Sequence, residues 1–417
     1  MHAEIIAVGD EITSGQILDT NSQWLSQRFE ELGIQVLYHT TVGDELDAGV
    51  GVFCHAIQRS DVVIATGGLG PTADDLTREA LARATGRKLM LDGNVLEQIR
   101  RMYARRKRKM PKRNEQQAMF PEGSRAIHNP NGTAPGIAVE VPREGAKPCR
   151  VFALPGVPDE MKEMWYGFVA DAVRKAGGGQ GVIRHRLVKC FGKGESQVEE
   201  MLPDLIRRGR KPLVGINASK HTIILRITAE GATEEACYAA MEPTVATIRK
   251  CLGALVFGED DDELQTVVIR LLRQQNKTLA TAEWGTAGMV ADWLGSVDGA
   301  AGYYLGGTIA ASHKALQRAL DVSPELIAER SAVSGEVAAA MAANCRRRFG
   351  TDFGLAVTRF PVFDPLADEP KPIFFALATA DGVKLKSVPF AGHPALLKIY
   401  CAKHAVNLVR LAMVDPK

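Results

Sequence analysis

Between Asp61 and Asp75 the chain reads Asp-Val-Val-Ile-Ala-Thr-Gly-Gly-Leu-Gly-Pro-Thr-Ala-Asp-Asp, an apolar strand that runs into a glycine turn and then an acidic helix start. Strand, tight turn, helix is one step of a parallel α/β sheet. Gly67, Gly68 and Gly70 carry no Cβ, so the backbone can turn left-handed and bring its N–H groups against a ligand. A helix opening at Thr72 would add free N–H groups and a dipole that favours an anion such as phosphate. Asp74 and Asp75 would repel that anion unless a divalent cation sits between them, which points to a metal-assisted phosphate site. Thr72 and Asp75, three apart, also fit a plain capping box.

A second acidic turn follows the apolar stretch His2 to Val8, as Gly9-Asp10-Glu11, with Asp19-Thr20-Asn21 soon after. Ligands gather at the carboxyl ends of strands in open parallel sheets, and both acidic turns occupy such ends. With a helix expected from Ser22 to Leu32, a strand from Ile34 to Thr41 and a helix from Ala48 to Arg59, strands and helices alternate to about residue 167. A chain of 417 residues exceeds one ordinary domain. Its net charge of +2 supplies no general attraction for nucleic acid or a membrane surface. The start lacks a secretory signal, and no window approaches the roughly 20 apolar residues of a membrane span. A cytoplasmic protein with small-molecule partners is therefore expected. The seven cysteines lack close pairs and read as reduced, mostly buried thiols.

Further along, Arg105-Arg106-Lys107-Arg108-Lys109 has only Tyr103 as an aromatic neighbour, and fits a solvated helix end or a loop that meets substrate phosphates better than a nucleic-acid patch. The segments Asn129 to Gly136 and Pro155 to Pro158 are turn-rich and flank strands. Ala176 to Gly181 is a glycine-rich break, after which a small α+β unit is expected: a strand at Arg186 to Phe191, a helix reaching about Ile206, a strand at Thr222 to Ala229 and a helix from Thr233 to Lys250. An acidic link at Gly258 to Glu263 leads to a helix from Leu264 to Gln275, then a strand at Thr278 to Ala282 and the turn Glu283-Trp284-Gly285-Thr286-Ala287-Gly288.

The succession Gly9-Asp10-Glu11, Gln16 to Asn21, Thr66 to Thr72 with Asp74-Asp75, Asn131 to Gly136, and Leu154 to Pro158 resembles the CinA, or competence/damage-inducible, family over essentially the whole chain. The Gly-Gly-Leu-Gly-Pro-Thr stretch is also similar to the molybdopterin-binding fold of the MoaB and MogA proteins. The resemblance implies an α/β multidomain chain: a MoaB/MogA-like α/β domain over 1–167, a small KH-like α+β middle domain over 168–258 and an α/β CinA C-terminal domain over 259–417, in a homodimer. It further implies a metal-dependent ADP-ribose pyrophosphatase in the first domain, giving AMP and ribose 5-phosphate, and a nicotinamide mononucleotide amidohydrolase in the third, which would place the protein in pyridine nucleotide salvage. Carried onto this chain, Asp10, Asp74 and Asp75 become metal ligands or water orienters, and Gly67, Gly68, Leu69, Gly70, Pro71 and Thr72 hold phosphate. Asn131, Gly132, Thr133, Gly136 and Pro155 complete the pocket, with a divalent ion (Mg, Mn or Co) as cofactor and a nucleotide as substrate. Two rival readings remain open, a pterin-nucleotide module and a non-catalytic nucleotide-binding scaffold.

The third domain departs from the family pattern. Where the family has Ala-Glu-Ser-Cys-Thr-Gly-Gly with the serine as expected nucleophile, this chain has Ala282-Glu283-Trp284-Gly285-Thr286-Ala287-Gly288. An indole N–H is only a donor and forms no covalent intermediate. Two further family segments, Tyr-Ser-Asn and Thr-Gly-Ile-Ala-Gly-Pro-Gly-Gly, read Ala311-Ser312-His313 and Thr358-Arg359-Phe360-Pro361-Val362-Phe363-Asp364-Pro365. The amidohydrolase is therefore expected to be lost, with Thr281, Thr286, Ser312 and Cys345 as the only groups considered for rescue.

Overall fold

Early in the chain the apolar runs at His2–Val8, Gln35–Val42 and Val62–Thr66 become strands that each lead through a turn to a helix, and these strands meet in one sheet. The computed structural model describes residues 1–177, 181–362, 369–389 and 393–414. Gly178 to Gln180 of the glycine-rich break, and Phe363, Asp364 and Pro365 of the altered loop, lie outside the described residues. The chain divides into two compact units, Met1–Arg184 with Ala229–Ala240, and His185–Thr228 with Met241–Lys417.

In the first unit a six-stranded sheet runs in the order Gln35–Val42, His2–Val8, Val62–Thr66, Ala146–Leu154, Gly136–Arg143, Arg125–Ile127. The first four strands are parallel, Gly136–Arg143 runs against them, and Arg125–Ile127 pairs antiparallel with Gly136–Arg143. Because His2–Val8 lies between the strand that follows it and the Val62–Thr66 strand, the chain reverses its direction of winding there. That reversal opens a crevice at the carboxyl ends of His2–Val8 and Val62–Thr66. Every residue of Val62–Thr66 is buried, as befits a central strand covered on both faces. Phe53, Ile57 and Leu81 pack on one face; Leu25, Phe29 and Trp165 pack on the other, with the Phe29 and Trp165 rings edge to face at 4.9 Å.

One expectation for this unit needs correcting. The helix after the glycine turn does not open at Thr72; it spans Thr77–Ala84. The Asp75 carboxylate accepts the Gly70 N–H at 2.7 Å and the Thr72 N–H at 2.7 Å, folding the intervening residues into a closed loop that delays the first helical turn.

The second unit holds the strands Leu213–Ser219, Thr222–Gly231, Val182–Cys190 and Val256–Glu259 in that sheet order; the ends of Val182–Cys190 and Thr222–Gly231 fall with the first unit. Leu213–Ser219 and Val256–Glu259 are strands that the sequence reading does not place, and the helix after Gly194 ends at Glu200 rather than near Ile206. A five-stranded sheet follows in the order Tyr304–Ile309, Leu279–Glu283, Phe353–Val357, Pro372–Ala378, Val383–Pro389, with the first three parallel. The helix Leu397–Val414 is buried from Cys401 through Arg410 although it carries Lys403, His404, Asn407 and Arg410. Arg410 meets the need for partners by donating to Asn407 Oδ1 at 2.7 Å and to the Ala254 and Val256 carbonyls. All seven cysteines are unpaired, five of them buried. Among the described residues no helix is long and apolar enough to cross a membrane.

Candidate functional site

The crevice of the first sheet is a cleft of about 600 Å³ walled by three turns: Gly9 to Asn21 after the first strand, Thr66 to Asp75 after the third, and Pro155 to Glu160 after Ala146–Leu154. Gly67 (φ 108) and Gly68 (φ 65) both adopt left-handed backbone. A Cβ on Gly67 would strike the Val8 carbonyl oxygen, and one on Gly68 the Thr77 hydroxyl, so the two turns approach this closely only because both positions are glycine.

The loop is held from behind. Arg78, buried at 4% exposure, donates to the carbonyls of Leu69 and Gly70. Burial pulls its guanidinium down to about 10, with the Asp75 charge acting against that. The Leu69 carbonyl turned toward Arg78 turns the Gly70 N–H the other way, onto Asp75, and beyond the Gly70 carbonyl the next nitrogen is that of Pro71, which has no hydrogen. Asn21 joins all three turns, its Nδ2 donating to Thr66 Oγ1 at 3.1 Å and to the Gly156 carbonyl at 2.8 Å. On the far wall, buried Asn129 donates to the Ala134 carbonyl and Glu160 Oε2 and accepts from the Asn131 and Gly132 N–H groups, which shapes the loop beneath Thr133.

Of the residues expected at the site, Gly67, Gly68, Leu69, Gly70, Pro71, Thr72, Asp74, Asp75, Thr133 and Pro155 line this cleft. Leu69 is at the same time a core residue. The N–H groups of Gly67, Gly70 and Thr72 are engaged within the protein, by the Leu154 carbonyl and by Asp75. Gly132 and Thr133 line a neighbouring cavity of about 260 Å³ with Arg101 and Arg105, and Thr133 belongs to both. Asn131 sits exposed at the rim, where Arg106 donates to its carbonyl at 3.4 Å. Gly136 is buried against Met164 and the Ala153 carbonyl.

Asp10 is placed differently from the expectation. Its Oδ1 accepts the Asp44 N–H at 3.0 Å while its own N–H donates to Asp44 Oδ2 at 3.1 Å, a reciprocal pair that joins two turns, and Asp10 itself is not among the residues lining the cleft. Glu11 and Asp44 line the cleft instead. Burial raises the Asp44 carboxyl above its ordinary 3.8, as do the charges of Asp10, Glu11 and Asp74, and the Asp10 N–H works against them. Sequence reasoning passed over Asp44, Arg78, Asn129 and Glu160. Asp44 carried a signal, the Gly43-Asp44 turn closing the strand beside His2–Val8; the buried Arg78 carried none. Among the described residues no three His, Cys, Asp or Glu side chains are grouped to hold a metal ion by themselves.

The turn after Leu279–Glu283 is closed. Buried Glu283 accepts the Thr286 hydroxyl at 2.6 Å and the N–H groups of Gly288, Val290 and Ala291, which fills the start of the following helix with the protein's own carboxylate. Trp284 packs edge-on against His313 at 5.5 Å, and the Arg359 guanidinium lies 5.9 Å from its ring centre. Phe360 fills the space beside Gly285, where a Cβ would meet its ring. Ala311 is exposed. The rescue candidates are occupied or unreactive: Thr286 donates to Glu283, Thr281 pairs with the Tyr304 hydroxyl at 2.8 Å, Ser312 caps a helix, and burial pushes the Cys345 thiol up to about 12.

Three family models match consecutive segments of the chain. Residues 4–175 match the model described as "Probable molybdopterin binding domain", 185–258 that of the "Damage-inducible protein CinA KH domain" and 261–413 that of the "CinA C-terminal domain". The chain is 38% identical over 421 residues to a "CinA-like protein" of Frankia casuarinae, covering 98% of this chain and 96% of that one. It is 36% identical over 419 residues to a "CinA-like protein" of Dictyoglomus thermophilum, covering 100% of both. A crystal structure of "the protein CinA with unknown function from Thermoplasma acidophilum" shares 35% identity with a TM-score of 0.37, covering 41% of this chain and 96% of that one.

Proposed function

Because the chain belongs to the CinA family, with a MoaB/MogA-like domain, a KH domain and a CinA C-terminal domain, we propose that its first-unit cleft hydrolyses the diphosphate of ADP-ribose or a related nucleoside diphosphate sugar, and that it does so with a divalent cation. The observation that carries this reading is the charge of the cleft. Glu11, Asp19, Asp44, Asp74, Asp75 and Glu160 line it, and among the described residues no lysine or arginine does. A glycine loop shaped for phosphate in so acidic a setting requires a cation of another kind.

One or two of Glu11, Asp44 and Asp74 would hold that ion, with the substrate supplying further oxygens. Mg²⁺ is usually bound by one or two carboxylates together with substrate phosphate oxygens, so a three-carboxylate cage is not needed. Bound there, a divalent ion would neutralise phosphoryl charge and acidify a water. The chain's own groups do the rest: the Thr66–Thr72 loop positions the diphosphate, Arg78 keeps that loop's carbonyls turned back, and Arg101 and Arg105 lie across Thr133 for the far end of the substrate. Water adds to one phosphorus, the bridging P–O bond breaks, and AMP and ribose 5-phosphate leave. The test is AMP release from ADP-ribose in Mg²⁺, Mn²⁺ or Co²⁺, comparing wild type with Asp44→Ala and Asp74→Ala. We expect about 100-fold loss in each variant; inactivity of the wild type with all three ions removes the proposal.

The molybdopterin-binding match over residues 4–175 favours a second reading, in which the same cleft holds a pterin nucleotide. Titration with molybdopterin and with ADP-ribose separates the two. For the C-terminal domain we propose loss of nicotinamide mononucleotide hydrolysis, so that the domain keeps a structural role; ammonia release dependent on residues 259–417 would contradict it.

A further inference from the structure

A second cavity, of about 460 Å³, lies within the second unit, between the hairpin that joins Leu213–Ser219 to Thr222–Gly231 and the helix Leu397–Val414. Its wall carries Lys189, Lys220 and Lys403 against one carboxylate, Glu263, with Thr222 beside them and Trp293 on the apolar side. Three lysines against one glutamate leave a net charge of +2 on the wall of a partly open cavity, with Lys220 at its exposed edge. Lys403 is only 7% exposed and spends one donor on Thr222 Oγ1, while Lys189 is 8% exposed and donates to Glu263 Oε1 at 3.0 Å and to the Asp262 carbonyl at 2.9 Å. Each ammonium has three donors, so Lys403 retains capacity for an anion. Burial holds the Lys403 ammonium below the ordinary lysine range; Glu263 pulls the other way, and Lys189 and Lys220 push it lower still. Like charges this close cost free energy that an anion would return.

The hairpin turn presenting Lys220 is itself unusual. Ser219 pairs directly with Thr222, leaving Lys220 (φ 46) and His221 (φ 63) as a two-residue turn, both in the left-handed region. Turns of this kind take Asn-Gly or Asp-Gly at little cost, whereas a lysine followed by a histidine is strained at both positions. His221 is fastened by its ring, edge-on to Tyr400 at 5.0 Å.

We propose that this cavity binds a mononucleotide, its phosphate on Lys220 and Lys403 and its base against Trp293. The volume far exceeds a phosphate ion, and Trp293, Met289 and Ile399 supply a wall on which an aromatic base stacks. The site is distinct from the acidic cleft of the first unit, which has the opposite charge.

The test uses the full chain with AMP as probe, followed by calorimetry and tryptophan fluorescence. Lys220→Ala is expected to weaken AMP binding about tenfold, and Trp293→Phe to remove the fluorescence change. Lys220→Asn with His221→Gly is the sharper variant: Asn-Gly relieves the turn, so Tm is expected to rise by roughly 2–4 °C while AMP binding falls. A turn with only a structural task would gain stability and lose nothing. Unchanged AMP affinity in the turn variants places any AMP in the other cleft and overturns the proposal, as does inorganic phosphate binding as tightly as AMP.

Discussion

The turn after Val62–Thr66 and the turn after Leu279–Glu283 both leave a fully buried parallel strand, and both pass through glycine toward a helix. In the first, glycines with positive φ let two turns approach across a 600 Å³ cleft lined with carboxylates. In the second, one carboxylate, Glu283, takes up the helix's leading N–H groups, and Trp284 and Phe360 occupy the space around it. The same backbone device thus borders an open cleft lined with acids in one place, and is closed as a structural cap in the other, where a side chain supplies the anion from within.

The largest test of this difference is at the glycines. Gly67→Ala forces a Cβ onto the Val8 carbonyl at a residue with φ 108, and neither backbone can move without opening the sheet. We expect about 2–4 kcal/mol of lost stability and no measurable ADP-ribose hydrolysis. Gly285→Ala meets the Phe360 ring, a side chain rather than backbone, and is expected to cost less than Gly67→Ala, about 1–2 kcal/mol. Chemical unfolding of both variants ranks them; equal costs would mean that the first turn is no tighter than the second.

Next in size is Glu283→Gln. An amide places donors where four donors already converge, and the expected cost is about 2–3 kcal/mol, read by denaturant midpoint. Trp284→Ser follows, with about 1–2 kcal/mol lost from a half-buried ring. It restores the family's serine, yet Ala311, Arg359 and Phe360 remain, so no ammonia is expected from nicotinamide mononucleotide. Turnover by this single variant would show that the closure of the second turn rests on the indole alone.

What was legible in the sequence follows a physical rule. The strand expected from Asp61 to Thr66 begins one residue later, at Val62, and the helix Leu264 to Gln275 is as expected, because period and apolar run survive in one dimension. The opening of the helix at Thr77 instead of Thr72 did not, since the Asp75 side chain competes with the helix for the same N–H groups. Helix Leu397–Val414 carries charges at Lys403 and Arg410 that suggest an exposed face, and only tertiary partners explain their burial. At the site, Asp74 and Asp75 were visible in the glycine motif, whereas Asp44 enters from the adjacent strand's turn and Arg78 from behind, a juxtaposition that the fold alone creates.

The smallest effect has the most informative sign. Asp44 has a folded-state carboxyl raised above 3.8 by burial and by Asp10, Glu11 and Asp74. A carboxyl raised on folding binds its proton more tightly in the native than in the unfolded state, so its contribution is most favourable below 3.8 and turns unfavourable as pH climbs through the raised value. At pH 7 the penalty is present in full, though solvent screening keeps it below about 1 kcal/mol. Asp44→Asn retains an acceptor for the Asp10 N–H and should therefore raise Tm at pH 7, with the gain vanishing below pH 3.8. Mg²⁺ should close the gap between variant and wild type at pH 7, because an ion beside Asp44 relieves the repulsion that the substitution removes. Glu283→Gln, the matching change in the closed turn, moves Tm in the opposite direction and is indifferent to Mg²⁺. A carboxylate that destabilises its turn until a cation arrives belongs to a binding site, and one that stabilises its turn unaided belongs to the framework; an Asp44→Asn variant that lowers Tm at pH 7 would place both in the second class.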